Sequence, residues 1–361
     1  MSAGAATTSP ALGQWHASRL AFSTVVVLMG IGLFVTITLA VAIGPVQIPF
    51  TRVWQIAFAQ ITGQDGDWSL AQSNIVWHLR FPRVLLGGIV GAGLAAVGVS
   101  MQAVVRNPLA DPYILGISSG AAVGAVLVLS FGMLAFAGAY AISIAAFAGS
   151  LLTFLAVFTL ARIGGQFSTG RLILSGVACA YVLSGVTSFI TLTSDKDELA
   201  RSVMSWMLGS VAGADWLDLS VPALVLLAGT AYLLLCARPL NALLMGEETA
   251  ATLGVDVVRF RRRLFLVMSL LTGVMVAVSG AIGFVGLVVP HIARMLVGTD
   301  HRRVLPVAVL FGAIFLIWVD VGARMIIAPS ELPVGVITSL LGGPFFIWLL
   351  ATTRRKGVGN A

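Results

Sequence analysis

The chain has 361 residues, 58% of them hydrophobic and only 10% charged; a soluble domain carries about 25% charged residues, so the bulk of this chain belongs in lipid. Its formal charge of +7 comes from dispersed lysines and arginines with no basic stripe, which excludes a nucleic-acid footprint and leaves them as topology signals. The two cysteines, Cys179 and Cys236, both fall in apolar stretches, which excludes a disulfide framework and suits buried small hydrophobes.

In chain order, the Ala/Ser/Thr-rich segment 1–17 reads as a disordered tail. Ten apolar spans can then be drawn, at 20–43, 84–105, 113–133, 139–161, 172–193, 219–237, 264–281, 282–297, 304–327 and 333–351. About twenty apolar residues cross a ~30 Å hydrocarbon layer as a helix. The first span is too long for a signal-peptide core and reads as retained. The third and eighth are weak signals, rich in Gly and Ser or short, and the seventh and eighth nearly merge through SGAIGFVGLVVP. Hydropathy alone therefore allows eight to ten spans, in one membrane domain over 18–353 with a short tail at 354–361.

Placing the N-terminus inside puts fifteen of the 21 lysines and arginines on the cytoplasmic side, with both termini cytoplasmic. Two outer segments are long. The first, 44–79, carries Trp54, Trp68 and Trp77, aromatics suited to the interface. The second, 193–219, contains SVMSWMLGSVAGADW, which is either an interfacial helix anchoring the fifth span or a short helix at the outer mouth of a pathway.

No catalytic set survives inspection. His16, His78, His291 and His301 lack the spacing of a metal helix. Neither Lys196 nor Lys356 follows a glycine-rich turn, so there is no phosphate-binding loop. If ATP drives this protein, another chain binds it.

The stretch from Trp77 to Ala122 organises the chain. Arg80, Pro82 and Arg83 open it, a glycine-lined span follows with Gly87, Gly88, Gly91, Gly93 and Gly98 along it, and Asn107-Pro108-Leu109-Ala110-Asp111-Pro112 interrupts before GISSGAA. Such glycines let neighbouring backbones approach closely. The proline-bounded break needs partners for its backbone and must lie at a membrane surface or inside protein.

Other charged and kinked positions stand out. Asp320 and Arg324 are four apart and can pair on one helix face, while Arg80 and Arg83 could snorkel to the outer surface. Pro290-His291 inside a span frees a carbonyl one turn earlier, which a neighbour or water must satisfy. The cytoplasmic loop 238–264 holds two short helical stretches hinged at Gly246 and Gly254; Leu240, Leu243 and Leu244 form a small apolar face that packs either under its own spans or on another chain.

RFPR, MQAVVRNPLADPYILGISSGAA, LLMGEETAATLG, SGAIGFVGLVVPHIARMLVGTDHRRVLP and ELPVGVITSLLGGPFFIWLL together resemble the FecCD-type permease family, membrane subunits of ABC importers for iron chelates, haem and cobalamin. The resemblance covers nearly the whole chain. It implies an all-α polytopic permease of ten transmembrane helices with type II ABC importer architecture, in a bacterial or archaeal cytoplasmic membrane. It implies a second permease protomer, identical or not, with the pathway between the two. Separate ABC ATPase subunits would use ATP and magnesium, and an extracytoplasmic substrate-binding protein would deliver cargo; no cofactor is expected on this chain. Leu243, Leu244, Gly246, Glu247, Glu248, Ala250, Leu253 and Gly254 match the family's ATPase-coupling region. Arg80, Arg83 and Arg324 match positions that receive carboxylates of the binding protein in the cobalamin branch. Asn107 and Leu109, with Ser168 and Thr169, match the cytoplasmic gate, although helix capping by Asn107 or Ser168 accounts equally for the bare sequence. Ferric siderophore is the expected cargo, ahead of haem and cobalamin. An ion-driven secondary transporter is the rival; it needs embedded carboxylates or a histidine relay, for which only Asp320 and His291 qualify.

Overall fold

The computed structural model describes residues 19–64, 66–163, 169–194 and 197–358; the expected N-terminal tail lies outside them. Among the described residues there is no strand. The helices, in order, are α1 (Arg19–Ala42), α2 (Phe50–Thr62), α3 (Phe81–Val105), α4 (Ile117–Phe131), α5 (Ala141–Leu160), α6 (Thr169–Leu192), α7 (Asp197–Met207), α8 (Ser220–Leu235), α9 (Ala237–Leu244), α10 (Glu247–Thr252), α11 (Val257–Ser279), α12 (Val285–Val297), α13 (His301–Met325) and α14 (Val334–Val358). Each of the ten drawn spans has its helix: seven are long and apolar enough to cross a membrane, while 117–131, 285–297 and 334–349 are shorter.

Some boundaries move for local reasons. α11 starts at Val257, because the Asp256 carboxylate accepts the Arg259 N–H at 3.0 Å and caps it. The arginines at its base are thus helical. α14 runs to Val358, past the expected end of the membrane domain at 353. In the second long outer segment α7 forms as a separate helix.

α3 lies at the centre, packed by α8, α9, α11, α12 and α13. Its glycines permit this: a Cβ at Gly91 would overlap the Gly312 carbonyl of α13, and one at Gly98 would overlap Gly286 of α12. A second core, built from Val41, Val53, Ile56, Phe81 and Val321, holds α2 against the ends of α1, α3 and α13.

The weak third and eighth spans are short because each begins beyond an irregular segment. α12 has 13 residues, roughly 20 Å of helix, too little for the hydrocarbon layer. The break 280–284 precedes it and is tied to the entry of α4. The Tyr113 hydroxyl donates to the Ile282 carbonyl and accepts the Ile282 N–H, each at 2.9 Å. Ile282 is fully buried, so these bonds stand where water cannot. The carbonyl released by Pro290 belongs to Gly286, and Gln102 Nε2 donates to it at 3.2 Å. The expected rescue therefore comes from a neighbouring helix.

Candidate functional site: charged networks at the two ends of the bundle

The ends are called outer and inner after the Lys/Arg bias. At the outer end the structure draws Arg80, Arg83 and Arg324 inward. Arg80 reaches the end of α1, donating to the carbonyls of Val41 (2.8 Å), Ala42 (3.0 Å) and Val46 (2.5 Å). A helix C-terminus leaves carbonyls without intrahelical donors and carries partial negative charge, so a guanidinium satisfies both demands. Arg83 grips Asp320 through Nε (3.0 Å) and Nη2 (2.9 Å) and Glu331 through Nη1 (2.8 Å). Asp320 also meets Arg324 at 3.2 Å, and Arg324 donates to the Ala40 carbonyl at 3.1 Å.

The expected Asp320–Arg324 pair is therefore present within a larger network of two cations and two anions. Snorkelling arginines are not what the fold makes of these positions. Arg80, Arg83 and Arg324 are 6%, 8% and 3% exposed, because carboxylates and carbonyls inside the protein already satisfy them. Only Glu331, with 38% of its side chain exposed, brings the network near the surface.

At the inner end the predicted hinges are real turn positions, Gly246 at φ +118° and Gly254 at φ +84°, where a side chain would be strained. The leucine face needs a correction. Leu240 and Leu243 are 0% and 1% exposed, packed in the main core beneath the spans. Sequence spacing defines a face on a short helix without saying which way it turns. Leu244, Met245, Leu253 and Val258 are the exposed apolar residues instead, while Ala250 is fully buried and Glu248 is exposed. Glu247 takes Arg261 at 2.8 Å and Arg106 at 3.2 Å. Asn241 of α9 donates to Asp300 at 2.7 Å and accepts the His301 N–H at 2.9 Å. Burial pushes the Asp300 carboxyl up, but the Asn241 amide, the Arg302 N–H and the Arg302 and Arg303 charges more than offset this and hold it below its usual range.

Asn107 and Leu109 lie on one exposed turn after α3, the Leu109 N–H donating to Asn107 Oδ1 at 2.9 Å. Asp111 follows, its carboxylate accepting the Tyr113 N–H at 2.8 Å. Burial raises this carboxyl to about 6, against that hydrogen bond. Ser168 lies outside the described residues, and Thr169 is the first residue of α6. His291 sits edge-on to Phe345 at 5.8 Å, and among the described residues no hydrogen bond makes it part of a relay. Among the described residues no group of three acidic, histidine or cysteine side chains could hold a metal ion.

A model of the FecCD transport family matches residues 32–352. The hemin transport system permease protein HmuU of Yersinia pestis is 44% identical over 298 residues, 81% of this chain and 89% of that protein. The cobalamin import system permease protein BtuC of Halobacterium salinarum is 46% identical over 276 residues, 76% of this chain and 73% of that protein. A solved ABC transporter of the metal-chelate type, in an inward-facing conformation, is similar at a TM-score of 0.80 and 30% identity, over 91% of this chain and 99% of that one.

Proposed function

The chain belongs to the FecCD transport family, membrane permeases of the ABC type, and on that premise we propose that it forms the pathway of an importer for a bulky metal chelate. The observation that carries the reading is the inner surface around α9 and α10. Leu244, Met245, Leu253 and Val258 are exposed there, in a chain that has no phosphate-binding loop of its own. Such an apolar patch at a polar end of a membrane protein marks a docking surface, and an ATPase subunit is its occupant. ATP binding with magnesium would move this segment, open or close the turn at Asn107 and Leu109, and so alternate access between the two sides. A second protomer, identical or not, completes the pathway; both termini are cytoplasmic.

The names of the two relatives above favour hemin or cobalamin as cargo over ferric siderophore, the first expectation. The binding protein would dock at the outer end through the Arg83 network, and its carboxylates would have to compete with Glu331. The experiment is uptake of hemin, cobalamin and a ferric hydroxamate by proteoliposomes holding the chain with its ATPase and binding protein. ATP-dependent uptake of one of them supports the reading. Saturable ATP hydrolysis by the purified chain alone would overturn it.

A further inference from the structure

Arg106 is the last residue before the turn that carries Asn107 and Leu109. It closes α3 in the left-handed conformation, φ +53°, which a side chain other than glycine adopts only when its surroundings hold it there. The backbone bonds of the cap hold it there, Arg106 N–H to the Ala103 carbonyl at 3.3 Å and Asn107 N–H to the Gln102 carbonyl at 3.1 Å, and the side chain is left to meet Glu247: the Arg106 guanidinium donates to Glu247 Oε1 at 3.2 Å. The same oxygen takes Arg261 Nη2 at 2.8 Å. Arg261 is 4% exposed and its Nε lacks a hydrogen-bond partner, so Glu247 cannot leave it without stranding a buried charge. One carboxylate thus joins the first turn of α10, the base of α11 and the start of the gate turn. Beside this contact a cavity of about 210 Å³ opens between Pro108 and Leu244 of α9. Packing does not fill that gap, and Arg106, one member of the ion pair, lines it.

We propose that Glu247 is a positioning residue that passes displacement of the α9–α10 segment to the gate turn by holding Arg106. This rests on the coupling and gate roles given above. The Arg106–Glu247 pair itself is half exposed, 45% and 44%, and an exposed pair adds little to stability. Its removal therefore reads out transmission rather than folding.

The test uses the full importer with Cys179 and Cys236 replaced by Ala and Leu109→Cys introduced. The labelling rate of that thiol by a charged maleimide is measured with and without ATP and magnesium, at equal amounts of bound ATPase. The ATP-driven change in rate should fall about fivefold or more in Arg106→Gln and in Glu247→Gln. The double variant should be no worse than either, as for one shared link, and Arg106→Lys should recover most of the response. If Arg106→Gln keeps the parent's full response, the link is wrong. If Glu247→Gln misfolds by stranding Arg261, Arg106→Gln decides alone. A parent that shows no ATP-driven change would instead overturn the gate assignment, and the link with it.

Discussion

At the outer end Arg83 and Arg324 share one carboxylate, Asp320, whose side chain is 1% exposed; at the inner end Arg106 and Arg261 also share one, Glu247, whose side chain is 44% exposed. The motif is the same and burial separates the two. Outside, every member lies on or beside long spans, so the network is a strut between α1, α3 and α13. Inside, the carboxylate sits on a six-residue helix between two glycine turns, so the network can move with that helix. A shared carboxylate between arginines therefore specifies rigidity or mobility only through what carries it.

The comparison can be broken most sharply at Asp320. Asp320→Ala leaves buried Arg324 with no carboxylate and Arg83 with the half-exposed Glu331 alone, a loss of about 3–5 kcal/mol, and should abolish recovery of monodisperse folded protein. A variant melting like the parent would show that the outer network is no strut. Next comes the pair of leucines on α9. Leu243→Ala should cost about 2–5 kcal/mol in thermal denaturation. Leu244→Asp should melt like the parent but fail to co-purify the ATPase; retained stoichiometric co-purification would remove α9 from the coupling surface. Glu331→Gln is the smaller outer effect. Freeing Arg83 should tighten binding-protein affinity by about fivefold, roughly 1 kcal/mol, with a steeper salt dependence. Unchanged affinity would leave the arginines with their structural role alone. The smallest effect is at Asp111. Its carboxyl is raised by burial to about 6, so between about pH 4 and 6 the folded chain holds a proton that the unfolded chain releases. Stability therefore falls as pH rises through that window and is flat above it. Asp111→Asn keeps an acceptor for the Tyr113 N–H, and should raise the melting temperature at pH 7 by about 2 °C while flattening the decline.

Eight spans were legible from their own apolar runs, while the weak third and eighth kept enough Val, Ile and Leu to be drawn and needed the resemblance to be counted. The hinges at Gly246 and Gly254 and the Asp320–Arg324 pair were legible for the same reason: their partners are local. Arg83 finds Asp320 from 237 positions away, and Arg80 finds carbonyls of α1, contacts that no spacing announces. The orientation of α9 failed for a related reason. An eight-residue helix shows an apolar stripe, but the spans above it decide whether Leu243 or Leu244 faces in. Glu247 had been legible only as a position in a motif; its two arginines come from other helices.

The Tyr113 hydroxyl, bonded both ways to Ile282, has a kinematic consequence. One rotor serves a donor and an acceptor on the same residue, so the entry of α4 can neither slide along the break before α12 nor twist about it without losing both bonds together. The entry of α4 and the break before α12 are thereby pinned together at Ile282. Any rearrangement that keeps both bonds moves that point of the break with the entry of α4, and relative motion of the two helices must be taken up elsewhere, along α4 or between Ile282 and the head of α12.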